Sequence, residues 1–148
     1  MADPLPVGIR APNFSLPATG GQKVSLSDFR GRRHLIVVFY PGNDTPGCNR
    51  QLSALRDDLV HFEKAGAGII AVNPGSVVAH ERYAKKFNFN FPILSDAKRE
   101  VSRAFFSLQD NGKNVQRTVY IIDKGGIVQF AKQGMASHEE LFQILQRL

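Results

Sequence analysis

At 148 residues, with 43% hydrophobic and 22% charged residues, the chain has the composition of a soluble globular protein able to bury one core, and a single domain over residues 1–148 is expected. One cysteine excludes a disulfide scaffold and suits a reducing compartment, so a cytoplasmic location is expected. The net charge of +6 and pI near 9.8 raise the question of nucleic acid. The basic residues are dispersed, however, apart from Arg30, Arg32 and Arg33 and the pair Lys85-Lys86, with acidic residues between them, so no nucleic-acid partner is expected.

The opening residues carry no basic stretch followed by a long apolar run, and neither a secretory signal nor a membrane partner is expected. Residues 14–16 and 24–26, separated by Thr19-Gly-Gly21, suit a small hairpin. Ser27-Asp-Phe-Arg-Gly31 suits a turn of helix stopped by glycine. Residues 34–40 form a continuous apolar, β-branched run whose length fits a central strand covered on both faces.

The chain then turns through Pro41 and Gly42 into Thr45-Pro46. Threonine suits a helix N-cap, and proline suits the first helical position, where an N–H would lack a partner anyway. Cys48 then falls at the third helical position. Leu52, Leu55, Leu59 and Phe62 follow at three- and four-residue spacings on the same face. A thiolate there meets unpaired backbone N–H groups and the positive end of the helix dipole, which favour the ionised sulfur. A shallow pocket, shielded from bulk water yet open to a small molecule, is the expected setting. A lone cysteine can also be a small buried apolar residue, but the prolines and glycines from Pro41 to Gly47 hold the backbone in a shape that filler would not need.

Farther on, residues 68–72 suit a buried strand, and Ser76 caps a helix carrying Ala79, Tyr83 and Phe87 on one face. Phe87-Asn-Phe-Asn-Phe91 alternates like a half-buried strand. Residues 92–94 make a short strand, and Ser95-Asp96 start a short helix with Val101 and Phe105 facing inward. Residues 118–122 and 127–131 flank Asp123-Lys-Gly-Gly126, a hairpin signal. Ser137 and Glu140 form a capping box for a last helix with Leu141, Ile144 and Leu145. Strands alternating with helices, then a closing hairpin, imply an α/β fold: a central mixed β-sheet flanked by helices, with an N-terminal β-hairpin. His34, His61, His80 and His138 show no ligand spacing and suit surface or strand-end positions, and no metal or cofactor is expected.

The segment Phe39-Tyr-Pro-Gly-Asn-Asp-Thr-Pro-Gly-Cys48 resembles the active-site segment of peroxiredoxins, whose signature Pro-x-x-x-Thr-x-x-Cys is carried here by Pro41, Thr45 and Cys48. The Thr-Pro-Gly-Cys version is similar to the bacterioferritin comigratory protein, or Q-type, branch. Val7-Gly-Ile-Arg-Ala-Pro-Asn-Phe14, Phe91-Pro-Ile-Leu-Ser-Asp96 and Arg117-Thr-Val-Tyr-Ile-Ile-Asp123 extend the resemblance over nearly the whole chain. It implies a thioredoxin-like fold and a thiol-dependent peroxidase, acting on hydrogen peroxide or organic hydroperoxides, that works as a monomer or weak homodimer.

By the same resemblance Cys48 is the peroxidatic nucleophile, Thr45 hydrogen-bonds the thiolate and the substrate, and Pro41 shields the pocket. Arg117 stabilises the charge, and the N–H groups of Gly47 and Cys48 complete the cradle. Without it, Arg117 is a solvated strand-edge residue, Thr45 a cap and Pro41 a strand terminator. Many Q-type members have a second cysteine five residues after the first, where this chain has Ser53. With no other cysteine there is no resolving disulfide, and an external thiol, of a thioredoxin, a glutaredoxin or a small molecule, must reduce the sulfenic acid. A dithiol oxidoreductase is disfavoured by the lack of Cys-x-x-Cys. A non-catalytic redox sensor or chaperone-type module on the same fold is the other alternative.

Overall fold

A computed structural model describes residues 3–148 of the chain. Its seven strands form one sheet in the order β2-β1-β5-β4-β3-β6-β7. The strands are β1 (Ser15–Ala18), β2 (Gln22–Ser25), β3 (His34–Phe39), β4 (Ala67–Asn73), β5 (Ile93–Ser95), β6 (Thr118–Ile122) and β7 (Val128–Gln133). The helices are α1 (Pro46–Lys64), α2 (Val77–Phe87), α3 (Glu100–Ala104) and α4 (His138–Leu145). β3, β4 and β5 run parallel, joined by the crossovers through α1 and α2, while β1, β2, β6 and β7 pair antiparallel. This is the mixed sheet and N-terminal hairpin that the pattern implied.

β3 shows why its sequence is apolar throughout. All six residues are buried, because each face is covered. Leu35, Val37 and Phe39 join one core with Phe14, Phe105 and Tyr120. Ile36 and Val38 join the other with Leu52, Leu55, Phe62 and Leu141. Burial of each such aliphatic or aromatic side chain contributes about 1.5–3 kcal/mol. The second core lies under α1, α2 and α4, and on the other face α3 contributes Val101 and Phe105.

Three expectations are corrected. The Phe87–Phe91 stretch, numbered 87–91, is not a strand: Phe87 ends α2, and Asn88 takes the left-handed conformation (φ 55°) that terminates it. The rings of Phe87, Phe89 and Phe91 then stack in series, at 5.6 Å and 5.5 Å between centroids, so their period-two spacing serves ring stacking rather than a pleat. α3 begins later than Ser95, because Asp96 caps it from a distance by accepting from the N–H of Ser102 at 2.7 Å and of Val101 at 3.3 Å. His80 is no surface residue. It lies on α2 with 0% exposure. Among the described residues no helix is long and apolar enough to cross a membrane.

Candidate active site

Thr45 is the N-cap of α1, Pro46 the first helical residue, and Cys48 the third. The capping is incomplete. The Thr45 side chain makes no hydrogen bond to the first turn. Its hydroxyl donates to the carbonyl of Gly42 at 3.3 Å, a long bond whose single proton would have to re-aim to reach the sulfur. The first-turn N–H groups therefore have no side-chain cap, an arrangement that leaves them for an anion.

Cys48 is fully buried, with 0% exposure. This corrects the expected open pocket: Cys48 packs in the core with Leu52 and Leu55, because the apolar face of α1 that carries it is pressed onto the sheet. One turn on, Gln51 and Leu55 line a void of about 10 Å³ with Val38, Val119, Ala136 and Leu141, no larger than one water molecule.

The sulfur is nonetheless not walled off from charge. Arg117 lies 69 positions later in the chain, and its Nη2 donates to Cys48 Sγ at 3.4 Å. The sheet explains the meeting. β3 and β6 are antiparallel neighbours with Phe39 opposite Thr118, so the residue before β6 is delivered to the edge where β3 ends and α1 begins. Gln51 fixes the guanidinium by accepting from its Nη1. Gly47 leaves room for it: a Cβ there would lie 3.2 Å from Arg117 Nη2 and 3.8 Å from the Met135 methyl. The Arg117 carbonyl accepts the N–H of Gly134 at 2.8 Å. Gly134 adopts a positive φ of 88°, and this turn brings the partly exposed Met135 to the first turn of α1.

Three of the sequence-predicted site residues, Cys48, Arg117 and Gly47, thus converge. Thr45 is adjacent and exposed, with its hydroxyl engaged in its own turn. Pro41 is also exposed, and it lines a cavity with Asn73, Pro74, Gly75, Arg99 and Lys113. Gln51 was missed as a site residue. Its signal was the three-residue spacing from Cys48, which puts both on one helix face. Met135 had no sequence signal, because a turn between β7 and α4 places it.

Tyr40 and Tyr83 stand beside the cysteine in the same core. Burial pushes both phenols far above their ordinary range, and the Cys48 charge adds to the effect. Both are therefore hydrogen donors: Tyr40 to Asn43 Oδ1 at 2.6 Å and Tyr83 to Asn49 Oδ1 at 2.7 Å. Among the described residues there is no group of three or more His, Cys, Asp or Glu able to hold a metal ion.

Residues 7–131 match the AhpC/TSA family. Peroxiredoxin Q, chloroplastic, of Oryza sativa subsp. japonica is 38% identical over 146 residues, covering 95% of this chain and 67% of the rice protein. The putative peroxiredoxin bcp of Coxiella burnetii is 34% identical over 128 residues, covering 82% of this chain and 84% of that protein. The crystal structure of peroxidoxin BcpB from Mycobacterium tuberculosis superposes with a TM-score of 0.88 at 26% identity, covering 96% of this chain and 97% of that one. Proteins of this kind are thiol peroxidases. With the match over residues 7–131, the relatives' shared length and a single cysteine held under an arginine, the chain belongs to the AhpC/TSA family and is a thiol peroxidase of the peroxiredoxin Q and bcp type.

Proposed function

We propose that the protein reduces hydrogen peroxide and small organic hydroperoxides by a one-cysteine cycle centred on Cys48. The supporting observation is the Arg117 guanidinium 3.4 Å from a sulfur at the third position of an uncapped helix start. The Cys48 thiolate attacks the terminal peroxide oxygen in line with the O–O bond. An S–O bond forms, the O–O bond breaks, and the electron pair leaves with the distal oxygen, which takes a proton to become water or an alcohol. The sulfur is oxidised by two electrons to a sulfenic acid.

Arg117 and the N–H groups of Gly47 and Cys48 hold the oxygens where charge develops, a preorganised electrostatic role. Gln51 positions Arg117. Thr45 turns its hydroxyl from Gly42 toward the substrate, and Pro41 sets the backbone direction as the chain leaves β3. Because the sulfur is buried, peroxide enters by displacement of side chains over the first turn, and the unbranched, partly exposed Met135 is the freest of these to swing.

The return half of the cycle needs two external thiols, since no second cysteine exists. The first attacks the sulfenic sulfur, releasing water and leaving a mixed disulfide. The second displaces Cys48 and restores its thiolate. Such a cycle suits a reducing compartment such as the cytoplasm. With stoichiometric peroxide, the wild-type protein is expected to lose its one thiol and to be trapped by a dimedone-type reagent, whereas Cys48→Ser consumes no peroxide. Peroxide turnover by Cys48→Ser overturns the assignment. Thiol loss without sustained turnover in any of a panel of reductants favours a redox sensor over an enzyme.

A further inference from the structure

The loop between β3 and α1 carries the residues that set the first turn, yet it has no regular structure and includes Asp44 at a positive φ of 56°. Two tethers hold it to α2. The outer one is exposed: the Asp44 carboxylate accepts from Lys86 Nζ at 2.6 Å and from Asn49 Nδ2 at 3.1 Å. The inner one is a closed ring of hydrogen bonds. Tyr40 donates its hydroxyl proton to Asn43 Oδ1 at 2.6 Å, Asn43 Nδ2 lies 3.0 Å from His80 Nδ1, and His80 Nε2 lies 3.1 Å from the carbonyl of Asn73. Asn73 Nδ2 then returns to the carbonyl of Tyr40 at 2.8 Å. The packing is tight, since a Cβ on Gly75 would lie 2.9 Å from His80 Cε1.

The proton directions in this ring are forced. A carbonyl only accepts, so the Asn73 oxygen assigns the hydrogen of His80 to Nε2. A phenol kept protonated by burial gives its hydrogen to the Asn43 oxygen, which leaves the Asn43 amide hydrogens facing Nδ1. Nδ1 must then present a lone pair.

We propose that Asn43 and His80 are positioning residues for the peroxide step: the Nδ1 lone pair of neutral His80 latches Asn43, and through it the loop that sets the first turn of α1, and protonation of His80 opens the latch. The inference rests on the peroxidatic role of Cys48. A cationic ring sets N–H against the Asn43 amide hydrogens. Turning the amide over sets those hydrogens against Tyr40, whose own proton then loses its acceptor in a buried site. Release of Asn43 leaves the loop tied to α2 only by the exposed Asp44–Lys86 pair, so Thr45 loses the buried half of its anchorage. The Thr45 carbonyl accepts the N–H of Asn49 at 2.8 Å, so the frame of Gly47 and Cys48 moves with it.

Burial holds the His80 pKa below its ordinary 6.5, outweighing the carbonyls of Asn73 and Leu94, which favour the cation. The titratable and charged groups on the surrounding elements are Tyr40 just after β3, Tyr83 on α2, Asp44 paired with Lys86, Arg99 and Lys113 across the cavity that Asn73 and Gly75 line, and Asp96 after β5, whose carboxylate is taken by Ser102 at 2.7 Å. His80 hydrogen-bonds to none of them. The latch is therefore closed at neutral pH and opens as pH falls through the lowered value.

The test measures the second-order rate of Cys48 oxidation by hydrogen peroxide between about pH 4.5 and 8.5, alongside ¹⁵N NMR of the histidine rings in the wild-type chain. At neutral pH the wild type is expected to show His80 with its proton on Nε2, and Asn43→Ala to oxidise roughly 10- to 100-fold more slowly with unchanged far-ultraviolet circular dichroism. Asn43→Asp is the discriminating variant. Its carboxylate accepts from both Tyr40 and the His80 cation, so the ratio of its rate to that of the wild type rises as pH falls, where a merely structural residue gives a flat ratio. His80→Gln removes the limb of the profile that follows the His80 titration. A flat Asn43→Asp ratio, or a His80 proton on Nδ1 at neutral pH, overturns the proposal, and the NMR result stands even if His80→Gln fails to fold. Cys48→Ser is the blank that separates the two readings. A wild type inert to peroxide sinks the peroxidase cycle, whereas wild type and variants reacting alike sink only the latch.

Discussion

The starts of α1 and α4 share a hydroxyl residue at the N-cap and differ in what they do with their backbone donors. At α4, Ser137 Oγ accepts the N–H of Glu140 at 3.1 Å and the Glu140 carboxylate accepts the N–H of Ser137 at 2.8 Å. α2 follows the same habit, with Ser76 accepting from the N–H of Ala79 at 3.1 Å. At α1 the N-cap hydroxyl is turned away, and what stands at the first turn is a sulfur and a guanidinium. The difference separates a helix start whose orphan N–H groups are satisfied by its own side chains from one whose hydroxyl is withheld, which is the arrangement the proposed peroxide chemistry needs, since an anion-binding start must keep those donors available.

The hardest blow to this contrast is loss of the charge at α1. Arg117→Ala is expected to slow Cys48 oxidation by about 10²–10³-fold, the effect of removing one preorganised donor, with the thermal midpoint little changed. An unchanged rate removes Arg117 from the site and leaves α1 an ordinary helix start. A finer comparison exchanges the caps. Ser137→Ala should cost about 1 kcal/mol of stability and leave the peroxide rate alone, while Thr45→Val, which deletes no cap bond, should cost less stability and slow the peroxide step. Equal stability losses and equal rates would erase the distinction, and denaturant midpoints with rapid-quench oxidation rates decide it.

The smallest expected effect concerns pH and stability. Burial holds His34 and His80 neutral, with Lys124 adding to the effect at His34, so both pKa values lie below the ordinary 6.5. The unfolded chain binds these protons first, so the stability is fully present above about pH 6.5 and declines below it. Carboxylates such as Asp58, held below the usual 3.8 by its bond to His138, lose their share only near pH 4 and under. The denaturant midpoint should therefore fall between about pH 7 and pH 5, and fall less in His80→Gln. A midpoint flat over that range contradicts neutral buried imidazoles.

The strand over 34–40, the Thr-Pro helix start with Cys48 at its third position and the Ser137 capping box were legible because each is written in neighbouring residues, through hydrophobic runs or cap chemistry. The aromatic stretch misled because alternation specifies which side chains go together, not whether the backbone pairs, and Asn88 in a left-handed conformation settled that locally. His80 misled because its partners lie 37 positions upstream at Asn43 and at the end of β4. No spacing along α2 shows that a polar ring will be closed around it.

By itself, then, the order of residues determined the single cysteine and the helix whose third position carries it, both of which follow from local backbone preference and simple count. Only the folded sheet decided which guanidinium reaches the sulfur, because the antiparallel register of β3 and β6 brings together residues 69 positions apart. It also decided how deeply the sulfur lies and that its loop is held through a histidine, since burial and the direction of each hydrogen bond belong to the packed molecule rather than to any one segment of the chain.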